Sequence, residues 1–250
     1  MKEREYATMA ATERDHWWYR SLRARVLAAL HGRIVERATL LDAGCGTGGT
    51  YQAVTEEYPQ ATYIGLEPRM AGLNSSRSCG LRRLVRGRIP DLPFLPKTFD
   101  AIVCLDVLYY EDISREDALR RFAELLRPGG MLVMNLPAFS CLRGRHDLAV
   151  GIHGRFRKRS VDAMLAEAGF DEASSSYWNT SLFMPILIWR WLSRLWPGEV
   201  ESDVGLSPGW VNRVLAALLG AEQRVGKWVP MPLGTSVLTT AIRRAECRSR

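Results

Sequence analysis

Residues 40–49 read LLDAGCGTGG: an apolar pair, a carboxylate, then Gly44, Gly46, Gly48 and Gly49. Such a stretch constrains the fold more than any other in the chain. A glycine turn after a strand and before a helix lets backbone come close to a ligand, and the helix N-terminus then offers unpaired N–H groups and a positive dipole end. The flanks fit that order. Residues 39–44 (TLLDAG) have the length and apolarity of a short buried strand. Residues 48–58 read as the following helix, which must stop before Pro59.

The same alternation continues along the first half. Residues 17–30 place Leu22, Val26 and Leu30 on one helical face behind an aromatic start. Strands are expected at 61–68, 81–87 and within 99–110, with a short helix running through Arg77 between the first two. Residues 114–130 read as a helix with Ser114 as N-cap and Arg-Pro-Gly-Gly as its stop, and 131–137 as the fifth strand. Strands and helices alternating over short connections call for a parallel sheet with helices on both faces. The second half is less regular. Residues 138–158 form an Arg- and His-containing insertion, 160–170 a helix, 171–180 a sixth strand, 185–196 and 211–222 two more helices, and 236–244 a last strand. The expected fold class is therefore α/β: a doubly wound, Rossmann-like seven-stranded sheet, mostly parallel with an antiparallel last strand. The expected organisation is one domain over residues 1–250, with an N-terminal lid helix at 10–31, the insertion at 138–158 and a helical cap at 181–222 on the substrate side.

Glycine spacing alone leaves two ligand classes open. Over residues 44–48 the pattern is GxGxG, whereas the dinucleotide fingerprint is GxGxxG. Surrounding residues narrow the choice. Asp42 ends the first strand, Glu67 ends the second, DLPFLPKTFDAIVC follows at 91–104 and LLRPGG at 125–130. A carboxylate at the end of the second strand can accept hydrogen bonds from two neighbouring ribose hydroxyls. This ordered series resembles the class I S-adenosylmethionine-dependent methyltransferases of the broad small-molecule kind, most closely over residues 35–137.

The resemblance implies S-adenosylmethionine as cofactor, S-adenosylhomocysteine as product, and roles by position. Asp42 would hold the methionine ammonium. Gly44, Cys45, Gly46 and Gly48 would pass beneath the cofactor. Glu67 would clamp the ribose and Pro68 shape the turn beside the adenine. Ile89 would meet the adenine through its backbone, and Leu105 and Asp106 would lie beneath the sulfonium. Two departures stand out. Relatives often carry an acid four positions before LPF, where this chain has Arg88, which cannot accept a hydrogen bond. Relatives often read V-L-E-H after the fourth strand, where this chain has Val107-Leu108-Tyr109-Tyr110.

Methyl transfer from a sulfonium needs positioning and desolvation above all, and a hydroxyl acceptor gains from a base. His153 is the first candidate base and His146 the second; Tyr110 is a third catalytic candidate. Trp18, Tyr19, Tyr109, Tyr110 and Arg155 are the candidate substrate-binding residues, Arg155 through an anionic group of the substrate. The apolar stretch 182–189 contains Pro185, is followed closely by Arg190 and Arg194, and is too short to span a bilayer. An active-site roof, a homodimer interface and a membrane-surface helix are its candidate roles, in that order.

Composition adds limits. Net charge is +7, yet only Lys2, Lys97, Lys158 and Lys227 of the 34 basic residues are lysines, and the arginines are spread along the chain. That charge makes a nucleic-acid methyltransferase an alternative, against which stands the lack of a paired-cysteine or NPPY-type motif; Arg88 and the Tyr109-Tyr110 pair make a member that binds the cofactor without transferring methyl another. The five cysteines include no CxxC pair, so neither a zinc site nor a disulfide framework is expected. The charged N-terminus lacks the apolar stretch of a signal peptide, and a cytoplasmic location is expected. The expected partner is a small-molecule substrate.

Overall fold

The computed structural model describes residues 3–144, 147, 151–193 and 208–244. Its centre is a seven-stranded sheet in the order β3-β2-β1-β4-β5-β7-β6. The strands are β1 (Thr39–Ala43), β2 (Thr62–Glu67), β3 (Leu84–Arg86), β4 (Phe99–Leu105), β5 (Leu126–Pro137), β6 (Phe170–Trp178) and β7 (Ser236–Arg243). Strand β7 runs antiparallel to both β5 and β6, and the other described pairings are parallel.

Side-chain alternation along the strands divides the core in two. Leu40, Ala101, Val103 and Val133 face one side, where α2 (Trp17–Leu30), α3 (Gly49–Glu57) and α8 (Gly209–Val225) contribute Val26, Val54 and Leu219. Leu41, Ile102, Cys104 and Leu132 face the other side, against α5 (Arg115–Leu125) and α6 (Lys158–Glu167). Successive strand residues point to opposite faces, so each central strand is apolar on both. The spacing of α5 shows how its helix was selected: Ala118, Leu119, Phe122 and Leu125 are all buried. The Ser114 hydroxyl accepts a hydrogen bond from the Asp117 N–H, capping the first turn.

Three features differ from the sequence reading. Helix α5 ends at Leu125, and residues 126–130 already belong to β5, with Leu126 opposite Phe99. Pro128 and the two glycines after it disfavour helix, so the backbone passes directly into the sheet. A separate helix, α1 (Glu3–Thr12), precedes α2 and packs on α4 (Met70–Ser78). Helix α7 (Phe183–Ser193) buries Phe183, but Met184, Ile188, Trp189 and Trp191 are exposed.

Strand order reverses between β1 and β4. Parallel pairing brings the carboxyl ends of β1, β2, β4 and β5 to one edge, carrying Asp42, Glu67, Leu105 and Asn135. The crevice at such a reversal is the usual ligand position in an open α/β sheet.

Candidate active site

The turn after β1 is built from backbone that needs glycine. Gly44 has φ +101° and donates its N–H to Leu66 O at 2.9 Å. A Cβ there would stand 2.5 Å from Val107 Cγ2, so both the conformation and the space exclude a side chain. Gly48, at φ +94°, is the N-cap of α3. Cys45 is buried, with its sulfur 3.7 Å from Ser76 Oγ.

Three carboxylates gather around this turn. Asp42 is buried and accepts a hydrogen bond from the Tyr63 hydroxyl at 2.7 Å. Burial pushes its carboxyl up to about 7, with Glu13 and Glu67 adding to the rise and the Tyr63 bond opposing it. Glu67 accepts from the Tyr6 hydroxyl at 2.7 Å, the Arg69 N–H at 2.9 Å and the Gly46 N–H at 3.2 Å. Its carboxyl is also raised by burial, and these bonds oppose the shift.

The third carboxylate, Glu13, lies between α1 and α2 and drew no notice in the sequence. It is buried, accepts from the Thr47 hydroxyl and from the Gly49 N–H at the start of α3, and is pushed up to about 7 by burial. Arg23, close enough to oppose that rise, donates to the carbonyls of Glu13 and Arg14 at 2.8 and 2.9 Å. Helix α1 thus lays Tyr6 on Glu67 and Met9 against Gly46, where a Cβ would meet Met9 Cε at 2.8 Å. Lone polar residues in a polar N-terminal stretch gave no signal of this.

Across the crevice, Asp106 follows β4 at φ +56°. Asn135 donates to its carboxylate at 2.8 Å, and the Trp178 indole N–H donates to Asn135 Oδ1 at 2.8 Å. Asp106 is pushed up to about 7 by desolvation, which the Asn135 bond opposes. Tyr109 and Tyr110 pack against each other at a tilt of 47°, with ring centroids 4.6 Å apart and hydroxyls 3.5 Å apart. The Tyr19 hydroxyl is held neutral mainly by burial, with Glu13, Asp106 and Tyr110 reinforcing it. Tyr19 therefore lies within electrostatic reach of Asp106 and Tyr110 as well as of Glu13.

The remaining expected residues divide by position. His153 is half exposed, with Nδ1 3.3 Å from Glu111, and its backbone N–H donates to Tyr109 O at 3.2 Å, which ties it to the tyrosine rim. His146 lies outside the described residues. Arg155 does not present a free guanidinium. It grips the buried Asp147 at 2.5 and 2.8 Å and donates to Ala138 O at 2.8 Å, while Arg190 reaches Asp147 at 3.0 Å. Trp18 packs toward the core, its ring 5.8 Å from Trp178, over which the Arg25 guanidinium stacks at 4.9 Å. Ile89 is buried, while Pro68 and Leu105 are half-buried. Arg88, at the position where relatives carry an acid, pairs with Asp112 at the surface.

Comparison with known proteins agrees with this geometry. Residues 41–134, from the end of β1 through β5, match the family model described as a methyltransferase domain. Over these residues the chain is similar to a methyltransferase domain. The fatty-acid O-methyltransferase of Mycolicibacterium smegmatis is 34% identical over 119 residues, 46% of this chain and 40% of that protein. The tRNA U34 carboxymethyltransferase of Syntrophotalea carbinolica is 32% identical over 162 residues, 58% of this chain and 47% of that protein. A geranyl diphosphate methyltransferase solved with S-adenosylmethionine superposes with a TM-score of 0.57 at 19% identity, covering 89% of this chain and 85% of that one. The chain spans about half the length of the curated relatives it matches. No helix among the described residues is long and apolar enough to cross a membrane.

Proposed function

We propose that the chain transfers the methyl group of S-adenosylmethionine to a lipophilic small molecule, at oxygen or carbon. When bound, the cofactor supplies an electrophilic methyl group on a sulfonium leaving group. The residues at the crevice suit it chemically. Glu67 offers acceptors for a ribose diol, Asp42 would supply a carboxylate to an ammonium, and the turn from Gly44 to Gly48 would let backbone approach. The fit has one condition. Glu67 already accepts three hydrogen bonds, and a carboxylate has about four acceptor positions. Tyr6 must withdraw for both ribose hydroxyls to be received.

The observation that carries the choice of substrate is the character of the far rim. Tyr19, Tyr109 and Tyr110 supply apolar ring surface beside Asp106. Arg23, Arg88, Arg115 and Arg155 are each engaged, by loop carbonyls, Asp112, Leu108 O and Asp147 respectively. Aromatic walls with few converging polar groups favour an apolar ligand, whereas a phosphate backbone needs free cations. The fatty-acid and geranyl diphosphate enzymes named above support this reading, and the tRNA enzyme keeps nucleic acid as the alternative. His153, oriented by Glu111, would take the proton of a hydroxyl acceptor, and the tyrosine pair would pack against the acceptor and exclude water.

The test is transfer of labelled methyl to fatty acids, phenols, isoprenoid alcohols and tRNA, with Glu67→Gln alongside. Transfer to an apolar acceptor that Glu67→Gln weakens through cofactor affinity supports the proposal. Methylation of tRNA alone would overturn it, as would calorimetry showing no binding of methylated or spent cofactor to folded protein.

A further inference from the structure

Helix α8 is amphipathic in the unusual sense: its apolar side faces outward. Its inner side is fixed to α2. Leu219 is fully buried, Glu222 pairs with Arg25 at 3.2 Å, and Asn212 Oδ1 accepts from the Trp17 N–H at 3.1 Å. The opposite side carries Trp210, Val214, Leu218 and Val225, exposed by 65, 57, 40 and 51%, and Trp228 follows at 87%. These positions recur at helical spacing, so they form one continuous stripe. Arg213, Arg224 and Lys227 lie along it, exposed. The single acid between residues 209 and 229 is Glu222, which is turned inward to Arg25. Helix α7 follows the same plan. Its outer side shows Ile188, Trp189 and Trp191, and its one charge, Arg190, points inward to Asp147.

We propose that the outer stripe of α8 is a docking surface for an anionic lipid bilayer. Indoles flanked by cations, with no acid among them, match the headgroup boundary, where aromatic rings bury their apolar edge and cations meet acidic headgroups. The charge distribution argues against a second copy as the occupant. A two-fold pairing of this stripe, parallel or antiparallel, sets Arg213 against itself or against Arg224 and Lys227, so cations meet cations.

The full chain should sediment with phosphatidylcholine vesicles containing phosphatidylglycerol and bind pure phosphatidylcholine at least about tenfold more weakly. Arg213→Gln combined with Arg224→Gln should lower binding to the anionic vesicles by about twenty-five-fold, at about fivefold for each cation lost. Trp228→Ser should lower it by about tenfold. Unchanged circular dichroism in each variant separates loss of docking from loss of fold. Equal binding to both vesicle types, or to neither, overturns the proposal. So does a dimer in light scattering that Trp210→Ser dissociates.

Discussion

Glu13 offers the sharpest test of how the crevice is built. Its carboxyl is buried at the start of α3 and is pushed up to about 7 from an ordinary 4.5. The unfolded chain therefore releases this proton near 4.5, while the folded chain holds it until about 7. Between those values the folded state binds more protons, so stability falls as pH rises, and above about 7 the loss is complete. A gap of about 2.5 units is worth a little over about 3 kcal/mol at about 1.4 kcal/mol per unit. Glu13→Gln keeps an oxygen to accept from the Thr47 hydroxyl and the Gly49 N–H but never ionises. Urea unfolding should find the variant close to wild type near about pH 5 and more stable by up to about 3 kcal/mol near about pH 8. Asp106 titrates alike in both proteins and cancels in the difference, whereas Asp42 loses the part of its rise that Glu13 supplies, which adds to the variant's gain at high pH. A wild-type-to-variant gap that is the same at both pH values refutes the reasoning, because Glu13 would then not hold a proton in the folded state.

Tyr6→Phe removes the hydroxyl that occupies Glu67. If that bond competes with the ribose, cofactor affinity measured by calorimetry should rise by about tenfold, the scale of one hydrogen bond to a charged group; weaker binding would instead make Tyr6 part of the cofactor's own wall. Gly44→Ala should destabilise by at least about 1–2 kcal/mol from backbone conformation alone, read as a lower denaturation midpoint, because Val107 leaves no room for relief. Arg155→Ala should cost about 3 kcal/mol of stability, since Asp147 would keep a buried charge with Arg190 as its remaining ion-pair partner among the described residues. A variant of normal stability with a raised KM for an anionic acceptor would return Arg155 to substrate binding.

The sheet was largely legible because its signals are local. Leu40 and Leu41 face opposite layers simply by adjacency, and the glycine turn names its own position after β1. Asp42 and Glu67 could be placed because each ends a strand beside that turn. The start of β5 was misread because Arg-Pro-Gly-Gly ends a helix equally well whether loop or strand follows. What stayed hidden depends on contacts between distant residues. The Glu13–Thr47 bond spans 34 positions and Trp178–Asn135 spans 43, and neither leaves a periodic trace. Arg155 looked free because its partner, Asp147, sits in an insertion whose path no periodicity describes.

Glu13, Asp42 and Glu67 also explain what kind of ligand this crevice should prefer. Burial raises all three carboxyls, and Asp42 is raised further by the other two. Carboxylates crowded in a low-dielectric site resist ionising together. A bound sulfonium and ammonium reverse that balance by favouring the charged forms, so binding must expel protons. Affinity for S-adenosylmethionine should then rise by up to about tenfold per pH unit below about pH 7 and level off above it. S-adenosylhomocysteine lacks the sulfonium charge and should gain less over the same range. Calorimetry in two buffers of different ionisation heat counts the protons directly, and about one should be released at about pH 6.5. Proton uptake on binding, or identical pH profiles for the two ligands, would mean that the carboxylates do not face the cationic part of the cofactor.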